Sequence, residues 1–168
     1  MQSRPRASEL LLAGILASAL LFAGPRSIAQ FSSTAPLTGS GSAASIPESD
    51  LMQPETLKGL LGSSDKPMVV QVGSRIFFAE THITGSVFAG PGSQPSGLQM
   101  LDSQVAGVSK KKLIVLYCGC CPWSRCPNVA PAYKRLHDLG YSNVKVLYLA
   151  DNFGDNWVSK GYPVEHGK

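Results

Sequence analysis

Apolar positions recur along this chain with two periods, and the switches between them mark its elements. Pro54-Glu55-Thr56-Leu57-Lys58-Gly59-Leu60-Leu61 opens with proline and an acid, as a first helical turn prefers, and stops before Gly62. Met68-Val69-Val70-Gln71-Val72 is a short β-branched run that reads as a buried strand. Residues 73–92 hold neither period and read as irregular and glycine-dotted, with a short strand at Ser86-Val87-Phe88-Ala89. Leu98, Met100, Leu101 and Val105 place a helix between Ser96 and Val108. Lys112-Leu113-Ile114-Val115-Leu116-Tyr117 carries the strongest strand signal and runs straight into Cys118. Val129, Ala132, Tyr133, Leu136 and Leu139 then recur at three- and four-residue steps, one face of a helix over Asn128 to Leu139 that Gly140 ends. Val144 to Leu149 is a further strand, and the tail from Asn156 to Pro163 reads as a short turn or helix that packs Trp157.

Strands alternating with helices predict βαβ units, hence an α/β domain with a mainly parallel sheet and helices on its faces. In such sheets ligands bind beyond the carboxyl ends of the strands. Cys118 follows its strand directly, so the pattern alone puts it at a ligand position.

The N-terminal third reads differently. Arg4 and Arg6 precede the apolar run Leu10 to Ala23, and Ser27-Ile28-Ala29 supplies small residues for a peptidase, so residues 1–29 are expected to be a signal peptide cleaved after Ala29. The run is shorter than the roughly 20 residues that span a bilayer as a helix. Export is therefore expected, with no membrane attachment in the mature form. Residues 30–45 hold no charge and little apolar surface, which predicts a flexible linker. Residues 46–165 remain for the folded domain.

Composition narrows the class further. The 168 residues are 43% hydrophobic and 15% charged, which argues against disorder of the whole chain. Seventeen glycines and twelve prolines exclude a long coiled coil. The net charge of +4 falls to +2 once Arg4, Arg6, Arg26 and Glu9 leave with the signal. Lys110-Lys111-Lys112 reads as a solvated turn, so no nucleic-acid partner is expected.

All four cysteines lie in Cys118-Gly119-Cys120-Cys121-Pro122-Trp123-Ser124-Arg125-Cys126-Pro127. A strand-to-helix loop surrounds a thiol with backbone N–H groups and a positive helix end, and Arg125 adds a charge; all favour thiolate. Four readings follow. A local disulfide such as Cys121 with Cys126 closes too small a loop to stabilise much. A thiolate metal site of Cys118, Cys120, Cys121 and Cys126 suits copper or zinc, although the C-x-C-C-x4-C spacing is not that of paired zinc arms. A phosphatase loop needs C-x5-R, whereas Cys118 to Arg125 is C-x6-R. Sulfur or thiol–disulfide transfer uses the most features.

The order of these pieces resembles the rhodanese-like family. The matching segments are Ile46-Pro47 to Leu61, Met68 to Val72, His82-Ile83-Thr84-Gly85-Ser86, Leu113 to Cys118, Leu136 to Tyr141, and Trp157 with Gly161-Tyr162-Pro163. The loop is similar to that of a secreted bacterial subset reading Cys-Gly-Cys-Cys-Pro-Trp-x-x-Cys-Pro-Asn. The resemblance implies a five-stranded, mainly parallel sheet with helices on both faces, a periplasmic or secreted location, and Cys118 as the persulfide-forming nucleophile. Two departures stand out. Gln71-Val72-Gly73 replaces the family's Asp-x-Arg, and the loop is about five residues longer, with three extra cysteines.

The expected function is thus an exported sulfurtransferase or thiol oxidoreductase acting through a cysteine persulfide or disulfide, without a cofactor. Cys118 is the catalytic candidate, and Cys120, Cys121 and Cys126 are candidate resolving thiols. Gly119, Trp123 and Arg125 are candidate substrate-binding residues, although Trp123 and Trp157 also read as packing residues. His82 reads as structural, and His166 lies in the tail. Expected partners are a small sulfur donor or thiol acceptor and a redox partner protein. The alternatives are the metal site and a non-catalytic partner-binding module.

Overall fold

The computed structural model describes residues 46–167; the expected signal peptide and linker lie outside the described residues. Among the described residues seven strands and five α-helices follow in order. They are β1 (Leu51–Met52), α1 (Pro54–Leu61), β2 (Met68–Gln71), α2 (Arg75–Glu80), β3 (His82–Ile83) and β4 (Val87–Phe88). After these come α3 (Pro95–Val105), β5 (Ile114–Tyr117), α4 (Val129–Asp138), β6 (Val144–Leu147), α5 (Phe153–Asn156) and β7 (Val164–Glu165).

Five strands form one sheet in the order β1-β6-β5-β2-β4. Every pairing within it is parallel, including Val70 against Leu116 and Leu116 against Val146. Strand β5 and most of β2 and β6 are apolar because both of their faces are covered. Successive side chains take opposite sides. Val70, Ile114, Leu116, Val144 and Val146 face one core with Leu101 and Val105 of α3 and Val129, Ala132 and Leu136 of α4. Val69, Val115, Tyr117 and Leu147 face the other core with Leu57 of α1 and Phe153 of α5. Helices therefore cover both faces, as the sequence pattern requires. A fully buried side chain such as Leu57 contributes about 1.5–3 kcal/mol through its removal from water.

Residues 73–92 correct the sequence reading. They are not irregular: α2 starts after Ser74, whose hydroxyl accepts the Ile76 N–H at 3.2 Å as an N-cap. The helix has no apolar stripe because only Phe78 is buried while Ile76 and Phe77 face outward. Strand β3 also escaped, because its partner is β7, some eighty residues on, in a separate antiparallel pair. In the tail, α5 and the 3-10 turn Val158–Lys160 enclose Trp157, which is fully buried and donates its indole N–H to Pro163 O at 3.0 Å.

Candidate functional site

Strand β5 sits in the centre of the sheet and ends at Tyr117, whose hydroxyl accepts the Ile83 N–H and meets Ser86 Oγ. Burial pushes that phenol up to about 12, so it stays neutral and acts as a fixed strut. The chain then turns at Gly119, where φ is +95°, a region that favours glycine. Gly119 O accepts the Phe153 N–H at 3.0 Å, and Trp123 N–H bonds Leu149 O at 2.9 Å. These two bonds tie the loop to the chain that follows β6. A 3-10 turn, Trp123–Arg125, leads to Cys126 and the start of α4.

The loop gathers its sulfurs into a chain that runs from core to surface. Cys126 and Cys118 are buried, Cys121 is half-buried and Cys120 is exposed. Cys120 Sγ lies 3.4 Å from Cys118 Sγ and 3.2 Å from Cys121 Sγ. None of the four is joined in a disulfide. The sulfurs of Cys118, Cys120 and Cys126 fall within 4.8 Å of one another; Cys121 is outside that trio.

Cys118 is the acidic member. The Cys126 S–H, the Asn128 amide, and the Cys120 S–H and backbone N–H all donate to its sulfur, and together they outweigh burial and bring it down from 9.0 to about 6. Cys126 moves the other way, because its proton is held on Cys118 and it is buried. Cys120 is also pushed up, by burial and by its neighbours Cys121 and Cys118. The site is one thiolate solvated by thiols and an amide.

Asn128 was not singled out from the sequence. It occupies the N-cap of α4 yet makes no capping bond. Its Oδ1 accepts both the backbone N–H of Ser93 at 3.1 Å and the Ser93 hydroxyl at 2.7 Å. A backbone N–H can only donate, so the atom facing it is oxygen and the amide NH2 faces Cys118 Sγ, 3.3 Å away. The Ser93 loop comes this close because a Cβ at Gly92 would sit 2.2 Å from Asn128 O. The only sequence signal was an asparagine at a helix start, which ordinarily reads as a cap.

The other expected residues are placed as follows. Gly119 shapes the turn. Trp123 packs 6.2 Å from the Tyr148 ring and against the α3–α4 core. Arg125 is exposed on the 3-10 turn, and the main lowering influences on Cys118 are neutral donors rather than this guanidinium. His82 is buried, stacks on Phe78 and donates Nδ1–H to Phe78 O at 2.7 Å. Gly73 has a local reason: a Cβ there would lie 2.7 Å from Cys118 O and 3.1 Å from Cys118 Sγ. Gln71 is buried, and with Gly119 and Cys120 it lines a cavity of about 360 Å³ beside the loop.

No family model and no curated protein matches the sequence. Solved structures do match. The rhodanese-like domain of the Alr3790 protein from Anabaena sp. is 19% identical, with a TM-score of 0.51 over 70% of this chain and 79% of that one. A thiosulfate sulfurtransferase from Pseudomonas aeruginosa is 21% identical, with a TM-score of 0.51 over 70% of this chain and 20% of that one. A cysteine-persulfide form of EanB with ergothioneine is 21% identical, with a TM-score of 0.53 over 68% of this chain and 27% of that one. The fold is that of the rhodanese-like domains.

Proposed function

We propose that this chain is a sulfurtransferase or thiol oxidoreductase in which Cys118 is the nucleophile and Cys120 the first resolving thiol. The observation that carries this reading is the buried Cys118 sulfur at the end of β5, with the Asn128 amide at 3.3 Å and Cys120 Sγ at 3.4 Å, surroundings that favour its thiolate. A thiosulfate sulfurtransferase and a cysteine-persulfide form of EanB among the structures of similar fold support it. Cys118 Sγ attacks the outer sulfur of a sulfane donor; the new S–S bond forms as the donor's S–S bond breaks, and the leaving group takes the electron pair. An acceptor thiolate can then remove the outer sulfur. Alternatively Cys120 attacks Cys118 Sγ at 3.4 Å, releases hydrosulfide and leaves a Cys118–Cys120 disulfide, which a dithiol partner protein reduces. Turnover with cyanide or a thiol acceptor tests the assignment. Cys118→Ser is expected to abolish it, and full activity in that variant removes Cys118 from the role.

The basic start, apolar run and Ser27-Ile28-Ala29 support export and work in a periplasmic or secreted setting, as does the similarity of the loop to the secreted bacterial subset. Among the described residues no helix is long and apolar enough to cross a membrane. Fractionation of the source cells with intact mass tests this; a mature chain starting at Gln30 is the expected product.

The sulfur geometry also favours a second reading, a soft metal site. Ligands at the roughly 2.3 Å of a zinc–thiolate bond stand about 3.8 Å apart in a tetrahedron, and the trio Cys118, Cys120 and Cys126 falls within 4.8 Å. An all-sulfur trio suits Cu(I). Metal analysis of chelator-free protein, with a Cu(I) competition titration, discriminates: one tightly held ion supports this reading, and freely titrating thiols reject it.

A further inference from the structure

The cavity beside Cys120 is built unlike an anion site. Gly119 and the Cys120 thiol form its reactive side, and Phe77, Phe153 and Val158 give it an apolar wall. Phe77 and Val158 remain 48% and 39% exposed, so apolar surface is left uncovered at the cavity. Gln71, only 1% exposed, lies deep in the lining, and its Oε1 has no hydrogen-bond partner among the described residues. No partner fixes which end of that amide faces the cavity, so it can offer a donor or an acceptor. Glu80 supplies a carboxylate.

Among the described lining residues there is no lysine or arginine. Arg75, at the head of α2, holds its guanidinium 4.5 Å over the Phe88 ring, and Arg125 does not line the cavity. A sulfur oxyanion entering here meets Glu80, with no lysine or arginine among the described lining residues to offset the charge. An organic sulfur compound with an ammonium, amide or hydroxyl group instead meets the Gln71 amide, the Glu80 carboxylate and an apolar wall.

We propose that this cavity is the binding site for the sulfur acceptor, and that it selects uncharged or cationic organic thiols and disulfides over anionic sulfur compounds. The acceptor role rests on the sulfur-transfer reading; the charge selection does not. Exchange with a small disulfide probes the selection directly. Cys120 Sγ bonds one sulfur of the reagent, the reagent's S–S bond breaks, and its other half leaves as thiolate. The Cys120 proton passes to Cys118 Sγ, 3.4 Å away.

The test follows mixed-disulfide formation by intact mass and peptide mapping on the reduced full-length chain. Three symmetrical reagents serve: cystamine, a dication; bis(2-hydroxyethyl) disulfide, neutral; and 3,3′-dithiodipropionate, a dianion. Each rate is divided by that of free cysteine with the same reagent. The dication and the neutral reagent are expected to outpace the dianion by about tenfold or more. The adduct is expected on Cys120 and to be lost in Cys120→Ser. Glu80→Gln, at an exposed position, is expected to shrink the dication's lead over the neutral reagent, and Gln71→Leu to slow the neutral reagent. The chain's net charge of +4 would favour the dianion, so it cannot mimic the expected result. A dianion rate equal to or above the others overturns the proposal, as do preferences unchanged in both Glu80→Gln and Gln71→Leu. The exchange reads the cavity whether or not Cys118 ever carries a persulfide. A wild type that never gains sulfur from any donor, yet keeps the charge preference, removes the sulfur-transfer reading and leaves the selection standing.

Discussion

The side-chain amide of Asn128 donates to Cys118 Sγ at 3.3 Å while its oxygen is claimed twice by Ser93. A hydrogen bond to a charged group contributes about 1.5–3 kcal/mol, and one pKa unit corresponds to about 1.4 kcal/mol. Asn128 therefore accounts for a sizeable part of the lowered Cys118 pKa, and Ser93 fixes which end of the amide does so.

Persulfide formation should be half-maximal near pH 6, where Cys118 titrates, and level off above neutrality. Asn128→Ala is expected to move the half-point up by about one unit, and Asn128→Asp further, because a carboxylate would face the thiolate. Rapid-mixing rates across pH measure this. The lowered pKa also adds stability that is complete above the ordinary 9.0 and lost as pH falls through about 6. An unchanged half-point in both variants would show that the amide does not hold the thiolate.

Cys120→Ser and Cys126→Ala should differ. If Cys120 resolves the persulfide, its serine variant accumulates Cys118 heavier by one sulfur atom, and no Cys118–Cys120 disulfide forms. Cys126→Ala removes the strongest donor to Cys118 and should instead raise the pH half-point. Trapping with an iodoacetamide-type reagent and peptide mass separates the outcomes. Normal resolution in Cys120→Ser assigns the step to another thiol.

Placing an arginine at Gly73 should impair this protein. Its Cβ would press on Cys118 O at 2.7 Å and on Cys118 Sγ at 3.1 Å. Overpacking of this kind costs about 1–3 kcal/mol. Gly73→Arg, and Gly73→Ala to a smaller degree, are expected to lower the melting temperature and slow sulfur uptake. A gain of activity in Gly73→Arg would show that the loop re-forms around a charge.

Trp157 is buried among Phe153, Tyr162 and the Pro163 carbonyl, on the face opposite α3 and α4. Trp157→Ala should cost about 3–5 kcal/mol. Denaturant unfolding measures the loss, and a change below about 1 kcal/mol would contradict the packing described here.

Much of this architecture is local and therefore legible in the chain. The runs at 68–72 and 112–117 and the stripe Val129–Ala132–Tyr133–Leu136 each report which faces must be buried, and burial on two faces dictates a parallel sheet between helices. The place of Cys118 directly after a strand follows from the same pattern, while the central position of that strand is seen only in the sheet order. Helix α2 did not declare itself, because an exposed Ile76 and Phe77 erase the periodicity that burial would impose. Strand β3 needed a partner far along the chain.

By itself the sequence determined the fold class, the order of the main strands and helices and the concentration of four thiols in one loop. Tertiary structure alone decided what each thiol is. Ser93 and Asn128 come from segments far apart in the chain, and only their meeting aims an amide at Cys118. The resulting split, Cys118 held low while Cys120 and Cys126 are pushed up, depends on distances between donors and sulfur, and hydrogen bonds of that reach are set by packing rather than by residue order.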